Sequence, residues 1–334
     1  MRDPQAEMAS VDVEAAARRL RGVIETTPLQ ACPTDDPRTE LRLKLECRQI
    51  TRSFKVRGAW NQMCRLSEEG RRRGVVATSS GNHAAALAWA AQKAGVPATL
   101  FMPADAYPNK IEACRSFGAE VVLSPTREEA EQACAERVKQ GFVLVHPYDD
   151  SKTVEGAGTV GLEIAQEWPE VEVVLLPVGG GGLSSGSAIA IHRTLGEQVQ
   201  IFGIEPEGAP SMALAVAEGR QVDIQPTTAV QGLCPVNSGL LNLNVCRRYL
   251  AGLLTVTDEE VFASQARLVN REGLLVEPAG AAAAAALFAG KLPQALWEGR
   301  SSERPLRVAA VVSGGNPDPA QLAALKRTGN LSQT

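Results

Sequence analysis

The feature that most constrains this chain is a repeated alternation of short apolar runs with longer segments of helical pattern. Apolar runs that predict strands occur at residues 41–46, 74–78, 98–102, 120–123, 142–145, 171–178, 199–204 and 306–312. Helical patterns lie between them, at residues 82–94, 109–117, 127–140, 158–167, 183–195 and 258–272, with an alanine-rich helix after residue 278. Because strands that are apolar throughout need cover on both faces, the pattern predicts a mostly parallel sheet between layers of helix. The predicted fold class is α/β.

The same pattern indicates how the chain is divided into domains. Residues 74–145 form a compact run of short βα units, and a polar segment at 148–151 follows it. This predicts a small domain at residues 51–150, inserted between the two parts of a large domain at 1–50 and 151–334. Ligands of open parallel sheets bind at the carboxyl ends of the strands, so the loops that follow strands are the candidate sites.

Composition excludes several classes of protein. The net charge is −4 and no basic face is evident, so nucleic acid is an unexpected partner. No apolar run reaches the roughly 18 residues of a membrane span, and the first residues lack an apolar signal core. The seven cysteines contain no C-x-x-C pair and the three histidines are far apart, which favours reduced thiols over a disulfide framework or a zinc site. These features predict a cytoplasmic protein with no membrane partner.

Four consecutive glycines follow the strand predicted at 171–178: Gly179, Gly180, Gly181 and Gly182. Leu183 comes next and begins a predicted helix. Glycines let the backbone approach a ligand closely, and the helix start adds free N–H groups and a partial positive charge. The sequence therefore predicts a phosphate site at this loop.

Two familiar phosphate signatures fit this loop poorly. The motif G-x-x-x-x-G-K-[ST] is absent, and the last glycine of G-x-G-x-x-G is replaced by Ser185. Glu205 lies about 20 residues further on, at the end of the next predicted strand, which leaves a dinucleotide site formally open.

A run of small polar residues follows the strand predicted at 74–78: Ser79, Ser80, Gly81, Asn82 and His83. Hydroxyl groups and free N–H groups at a helix start suit a small carboxylate. The alternative is that Ser80 or Asn82 only caps the helix. Two further loops offer reactive groups, because Ser313 follows the last strand and Lys55 lies between the strand at 41–46 and a helix predicted to begin near Val56.

Four motifs occur in order along most of the chain: S-F-K-x-R-G at 53–58, S-S-G-N-H at 79–83, P-V-G-G-G-G-L at 177–183 and S-G-G-N at 313–316. Together they resemble the fold type II pyridoxal-phosphate enzymes, and within that group the threonine/serine dehydratases and serine racemases. The resemblance implies two open, mostly parallel sheets flanked by helices, with the cofactor site between the domains. It also implies pyridoxal 5'-phosphate as the cofactor.

The resemblance assigns a role to each motif residue. Lys55 would form the Schiff base with the cofactor aldehyde, and Phe54 would lie beside the ring. Asn82 would hydrogen-bond the 3-hydroxyl of the cofactor, and Ser313 would hydrogen-bond the pyridine nitrogen. The cofactor phosphate would be held by Gly179, Gly180, Gly181, Gly182 and Leu183. The substrate carboxylate would be received by Ser79, Ser80, Gly81 and His83.

The implied reaction is an α,β-elimination from a β-hydroxy amino acid of the threonine or serine type, which makes the chain a carbon–oxygen lyase. Lys55 as free amine would remove the α-proton, the β-hydroxyl would leave, and hydrolysis would give ammonia and a 2-oxo acid. A neutral hydroxyl at Ser313 does not enforce protonation of the pyridine ring, and the milder electron sink suits loss of a β-substituent.

Several positions leave the substrate open. Val56 stands where threonine and cysteine synthases of this fold have an aspartate, which favours the dehydratases. Arg52 is either a solvated loop residue or a contact for an acidic substrate, and Gln231 replaces an acid of the related segment. The substrate could therefore be 3-hydroxyaspartate or an aryl-serine instead of threonine or serine.

Two other functions stay open at this stage. Ser80 matches a serine that serves serine racemases on the substrate face opposite the lysine, so it is a candidate catalytic residue for racemisation or a ligand of the substrate carboxylate. A chain that keeps the site only as a ligand sensor would bind the cofactor without releasing ammonia.

The resemblance also implies a cation site and an assembly. Glu205 and the backbone carbonyl of Ala209 match ligands of Mg²⁺ or another cation in relatives, and oxygen ligands suit such ions. Ser211 replaces the acidic third ligand, so a weak, monovalent or absent site stays open. Relatives imply a homodimer or a larger homo-oligomer.

Overall fold

A computed structural model of the chain describes residues 4–331. Its α-helices are α1 Pro4–Ala9, α2 Val13–Leu20, α3 Lys55–Cys64, α4 Glu68–Arg73, α5 Asn82–Ala94, α6 Pro108–Ser116, α7 Arg127–Lys139, α8 Ser151–Glu167, α9 Gly182–Leu195, α10 Ser211–Glu218, α11 Leu240–Tyr249, α12 Asp258–Asn270, α13 Pro278–Phe288 and α14 Pro319–Leu331. Its strands are β1 Leu29–Cys32, β2 Thr39–Lys44, β3 Val75–Thr78, β4 Ala98–Pro103, β5 Glu120–Ser124, β6 Val143–Leu144, β7 Val173–Pro177, β8 Gln200–Pro206, β9 Gly252–Val256 and β10 Leu306–Val311. Short 3-10 helices occur at Glu46–Arg48 and Gln294–Trp297.

The larger sheet has six strands in the order β1-β2-β10-β7-β8-β9. All neighbouring strands in it are parallel except β1, which runs antiparallel to β2 at the edge. The last strand, β10, lies near the centre, where Val308 is opposite Leu41 on one side and Val173 on the other. These residues are fully buried because helices cover both faces, as apolar parallel strands require.

The smaller sheet has four parallel strands in the order β5-β4-β3-β6. Its strands come from residues 75–144, whereas the larger sheet uses residues before 45 and after 172. The α/β class with two mostly parallel sheets flanked by helices is confirmed. The domain boundaries near residues 50 and 150 stay a prediction.

Helices α8 and α9 pack unusually closely because glycines face each other. A Cβ atom at Gly186 would lie 2.2 Å from the carbonyl oxygen of Val154, and one at Gly158 would lie 2.6 Å from the carbonyl oxygen of Gly186. Helix α9 begins at the end of β7, so this contact fixes the start of α9 against the start of α8.

No helix among residues 4–331 is both long enough and apolar enough to cross a bilayer.

Candidate active site

The predicted loops lie at the carboxyl ends of their strands and converge between the two sheets. Ser53 pairs with Gly314 in an isolated antiparallel bridge, and the Phe54 N–H donates to the Ser313 carbonyl at 3.2 Å. The loop that precedes Lys55 is therefore tied directly to the loop that follows β10. The sequence separates these two loops by more than 250 residues.

Lys55 is the first residue of α3, and its ammonium group donates a hydrogen bond of 2.8 Å to the Pro147 carbonyl oxygen. The amino group lies 5.1 Å from the centroid of the Phe54 ring. Part of the side chain stays exposed, but burial of the amino group lowers the pKa of Lys55 to about 8. Loss of water around a cation favours its neutral form, and a neutral amine is what carbonyl chemistry requires.

The loop from Gly179 to Gly182, named here the glycine loop, joins β7 to α9. Within the described part of the chain, the N–H groups of this loop and of Leu183 donate no hydrogen bond to the backbone. Gly181 has a φ of +92°, and a Cβ at Gly180 would lie 2.2 Å from the Tyr148 ring. Leu183 is buried in the apolar core and anchors the helix start. The loop therefore presents unpartnered donors at a helix N-terminus, which suits an anion.

The loop of Ser79, Ser80 and Gly81, named here the serine loop, joins β3 to α5 and is partly exposed. Gly81 occupies the N-cap position of α5 and no side chain caps this helix. The alternative in which Ser80 or Asn82 only caps the helix is therefore not what the structure shows. The Ser79 hydroxyl accepts from the Gly81 N–H at 3.2 Å, which orders the loop.

His83 is buried, and its Nε2 atom lies 2.8 Å from the Val145 carbonyl oxygen. Burial, together with the nearby charges of Lys55 and His146, lowers the pKa of His83 to about 3. The imidazole is therefore neutral and engaged with the chain. What His83 can offer an anion beside the serine loop is its backbone N–H in the first turn of α5.

Ser313 lies directly after β10 and is 5% exposed. Its hydroxyl donates to the Ala279 carbonyl oxygen at 3.3 Å, which is long for an O–H···O hydrogen bond. The hydroxyl is thus held weakly and can turn to another partner.

A group of charged residues, named here the ionic cluster, connects helix α3 to its neighbours; it consists of Lys44, Glu46, Arg57 and Glu163. The Arg57 guanidinium binds Glu46 at 2.7 Å and Glu163 at 2.6 Å, and Lys44 binds Glu163 at 2.6 Å. Two cations and two anions balance in this cluster. It joins β2, α3 and α8, and Arg57 lies two residues after Lys55.

Comparison with known proteins bears on this arrangement. The family model described as "Pyridoxal-phosphate dependent enzyme" matches residues 20–314. This chain belongs to the pyridoxal-phosphate-dependent enzyme family. It is 39% identical over 313 residues to a protein of Thermotoga maritima named L-threonine ammonia-lyase, covering 92% of this chain and 75% of that protein.

Two further relatives carry another name. A serine racemase of Oryza sativa subsp. japonica is 32% identical over 310 residues, covering 92% of this chain and 90% of the relative. The solved structure of maize serine racemase superposes with a TM-score of 0.85 at 30% identity, covering 96% of this chain and 97% of that one. The fold of this family member is thus that of fold type II pyridoxal-phosphate enzymes, as predicted.

The residues present in this family member fit pyridoxal phosphate. The amine of Lys55 has a lowered pKa, as formation of a covalent bond to an aldehyde requires. The unpartnered N–H groups of the glycine loop suit the phosphate, and the weakly held hydroxyl of Ser313 suits a ring nitrogen. An amine, an anion cradle and a hydroxyl come from three different strand ends.

The candidate cation ligands adopt a helix-capping arrangement. The Glu205 carboxylate is buried and accepts hydrogen bonds of 2.8 Å from the N–H groups of Met212 and Ala213 at the start of α10. The Ser211 hydroxyl is buried and has no hydrogen-bond partner among the described residues. Ala209 lies in the turn between them. No group of three His, Cys, Asp or Glu side chains within residues 4–331 could hold a metal ion.

Three residues of the site were given no role from the sequence. Tyr148 packs its ring on Gly180, and Asn316 and Glu277 bind the Asn82 side chain. Asn316 was recognised only as part of a motif, and Glu277 has the sequence signature of a residue before a helix-starting proline. The available signal for Glu277 was a carboxylate at the start of the alanine-rich helix, where its N–H donates to the Gly314 carbonyl oxygen at 3.2 Å.

Proposed function

We propose that this chain is a lyase that eliminates water from a β-hydroxy amino acid of the threonine or serine type. The observation that carries the proposal is the buried Lys55 amine, which has a pKa lowered to about 8 and donates to the Pro147 carbonyl oxygen. The next residue, Tyr148, packs its ring against Gly180 of the glycine loop. The Thermotoga maritima relative, which is 39% identical, is named L-threonine ammonia-lyase, and this supports the same reaction class.

The proposed elimination releases water first and ammonia second. When bound, pyridoxal phosphate supplies an electron sink for the α-carbon of the amino acid. Lys55 takes the α-proton, the β-carbon–oxygen bond breaks, and the hydroxyl takes up a proton and leaves as water. The α-hydrogen and the β-hydroxyl together account for the water that is lost, so the amine of Lys55 is neutral again at the end of the cycle. The resulting enamine becomes an imine, which one water hydrolyses to a 2-oxo acid and ammonia. The net products from one amino acid are therefore one 2-oxo acid and one ammonia.

Different groups of the chain would bind the substrate carboxylate and the cofactor ring. The hydroxyls and N–H groups of the serine loop, with the backbone N–H of His83, would hold the substrate carboxylate at the start of α5. Phe54 would lie beside the cofactor ring and Asn82 would bind its 3-hydroxyl. Ser313 would bind the ring nitrogen as a neutral partner, which supports prompt loss of the β-group.

The pKa of Lys55 predicts how covalent uptake of the cofactor depends on pH. A pKa of about 8 leaves roughly one tenth of the amine neutral at pH 7, whereas a pKa of 10.5 would leave roughly three in ten thousand. The rate at which apoenzyme takes up pyridoxal phosphate should rise about tenfold per pH unit below pH 8 and level off above it. Stopped-flow absorbance measures this rate. A rise that continues to pH 10 would contradict the lowered pKa.

A substrate screen tests the proposed reaction. The purified holoenzyme is incubated with threonine, serine, 3-hydroxyaspartate and phenylserine, and ammonia and 2-oxo acid are measured together. Equal amounts of both products are expected with threonine or serine. Activity confined to 3-hydroxyaspartate or phenylserine would reassign the substrate, and no product from any of the four would refute the elimination.

Racemisation is the second candidate function, because Ser80 is partly exposed in the serine loop and does not cap α5. A hydroxyl there could donate a proton to the substrate face opposite Lys55. Chiral chromatography of L-serine after incubation tests this. If Ser80 acts so, D-serine should form with the wild type and not with Ser80→Ala, while Ser80→Ala still releases ammonia. Absence of D-serine at high enzyme loading would reject racemisation.

A cation at Glu205 and the Ala209 carbonyl is also a proposal, with Mg²⁺ or a monovalent cation as the occupant. The buried Glu205 carboxylate and the unpartnered Ser211 hydroxyl support an oxygen-lined site. Mg²⁺ or K⁺ should raise the thermal midpoint of the wild type but not of Glu205→Gln. An equal response of the two proteins would argue against the site.

The proposal also covers the oligomeric state and the cellular location of the protein. We also propose a homodimer or a larger homo-oligomer, as the resemblance of the four motifs implies, and a cytoplasmic location. Sedimentation velocity at micromolar concentration tests the assembly, since a single monomer peak would contradict it.

A further inference from the structure

Glu277 is a buried carboxylate that the proposed reaction leaves without a role. It is 8% exposed and immediately precedes Pro278, the first residue of α13. Its Oε1 atom lies 2.5 Å from the Asn82 Nδ2 atom. A Cβ atom at Gly314 would lie 2.1 Å from the same oxygen, so the carboxylate also lies against the loop that carries Ser313. Glu277 thus lies between two of the loops that converge on the site.

The orientation of the Asn82 amide follows from its neighbours. The Asn316 Nδ2 atom donates to the Thr51 carbonyl oxygen at 3.0 Å and to the Asn82 Oδ1 atom at 2.9 Å. A backbone carbonyl can only accept, so Asn316 must present its NH₂ group on this side. Asn82 must then present its oxygen to Asn316 and its NH₂ group to Glu277.

Glu277 completes this arrangement because a carboxylate can accept from the Asn82 NH₂ group. The amide has two N–H bonds, and one of them is used by Glu277. The second N–H is left as a donor in the site.

We propose that Glu277 is a positioning residue that, together with Asn316, locks the Asn82 amide as a hydrogen-bond donor to the 3-oxygen of pyridoxal phosphate. The inference rests on the role proposed above for Asn82. Without Glu277 the amide could rotate and present its oxygen, which would repel an ionised 3-oxygen instead of binding it.

The electrostatics of Glu277 are compatible with this role. Burial raises the pKa of Glu277, whereas the hydrogen bond from Asn82 and the charge of Lys110 act in the opposite direction. Both the ionised and the neutral carboxyl group keep an oxygen that can accept from Asn82. The fixed orientation of the Asn82 amide therefore depends on a hydrogen-bond acceptor at position 277 and not on its charge. Glutamine at this position should keep that orientation.

The test compares Glu277→Leu, which removes the acceptor, with Glu277→Gln, which keeps one. Absorbance of the bound cofactor is recorded without substrate, because the visible band reports the ionised 3-oxygen and the ultraviolet band the protonated form. Glu277→Leu should convert visible to ultraviolet absorbance and lower kcat about tenfold to a hundredfold, the range for partners that orient a ligand-binding group. Glu277→Gln should keep the wild-type band and most of the activity.

Controls separate positioning from folding. Glu172 binds Arg300 and Arg307 at the opposite end of the larger sheet, so Glu172→Gln should lower the thermal midpoint without moving the cofactor band. If Glu277→Leu does not fold, Asn316→Ala can be used instead. It removes the donor to the Asn82 Oδ1 atom and should shift the band in the same direction.

An unchanged absorbance band in Glu277→Leu would overturn the proposal, and the same holds for Asn316→Ala if that variant is used instead. A shift in Glu277→Gln as large as the shift in Glu277→Leu would also overturn it. Because the band is read without an amino acid, it does not depend on the substrate. If the band responds as expected but the enzyme releases no ammonia, the proposed elimination is refuted and the role of Glu277 as a positioning residue stands.

Discussion

Replacing Lys55 with alanine is expected to abolish both turnover and the absorbance of covalently bound cofactor. The variant lacks the amine that takes the α-proton, and loss of a positioned base costs about 10² to 10⁴ in rate. Loss of the covalent link to the cofactor adds to this, so ammonia release should fall below about one thousandth of the wild type. Cofactor absorbance after gel filtration and an ammonia assay measure the two effects.

Lys93 offers a matched control for this variant. It is an exposed lysine in the last turn of α5. Lys93→Ala should retain cofactor absorbance and turnover. Ammonia release by Lys55→Ala at more than about a tenth of the wild-type rate would contradict the role of Lys55 as base.

Replacing Arg57 with methionine is expected to destabilise the fold by about 3–5 kcal/mol, the usual cost of removing one partner of a buried ion pair. Arg57 is 1% exposed and binds both Glu46 and Glu163, and Glu46 is itself fully buried. Methionine leaves the buried Glu46 carboxylate without its cationic partner, whereas Glu163 keeps its pair with Lys44. Urea unfolding followed by circular dichroism measures the change in the free energy of unfolding.

The ionic cluster also predicts how this stability depends on pH. Burial raises the pKa of Glu163, but the charges of Arg57 and Lys44 outweigh it and leave the pKa below its usual value. A carboxyl whose folded-state pKa is lowered stabilises the fold above its unfolded pKa, and this contribution is lost as the pH falls through the folded value. The destabilisation by Arg57→Met should therefore be large at pH 7 and shrink below about pH 4.5.

Arg72 provides the control for Arg57. It pairs with Glu69 at 2.9 Å on the surface of α4, where both side chains are mostly exposed. Arg72→Met should change the free energy of unfolding by less than about 1 kcal/mol. An effect of Arg57→Met as small as that of Arg72→Met would contradict the view that the ionic cluster anchors helix α3.

The regular part of the fold was predictable because its strands are apolar throughout. Helix α5 was predicted at its observed bounds, Asn82–Ala94, since Gly95 in a left-handed conformation ends it. Helix α8 was predicted to begin near Gly158 but begins at Ser151. Glycines in its first turns lower helix propensity, and their role in the close contact with α9 cannot be seen in one segment alone.

Edge strands were harder to predict than central ones. Strand β1, Leu29–Cys32, is short and antiparallel, and β9, Gly252–Val256, is only partly buried. Neither has the continuous apolar character of β7, because a strand at the edge of a sheet has one neighbour and less cover. The two strands were therefore missed.

The candidate site was predictable where its chemistry lies in contiguous motifs. Lys55, the glycine loop and Ser313 each follow a strand, and parallel strands bring such loops to one edge. Glu277 was missed because its partner Asn82 is 195 residues away in the chain. The orientation of the His83 imidazole toward Val145 could not be read from a motif either, since it depends on tertiary packing.

Borohydride reduction followed by peptide mapping identifies the residue that carries the cofactor. Reduction fixes pyridoxal phosphate permanently to the amine that carries it, and mass spectrometry then identifies the modified peptide. One modified site is expected, Lys55, in the peptide that contains Ser53 and Phe54. A label on a different lysine, such as Lys110, which lines the same pocket as Asn82, would refute the role of Lys55. So would the absence of a label in protein that has retained its cofactor.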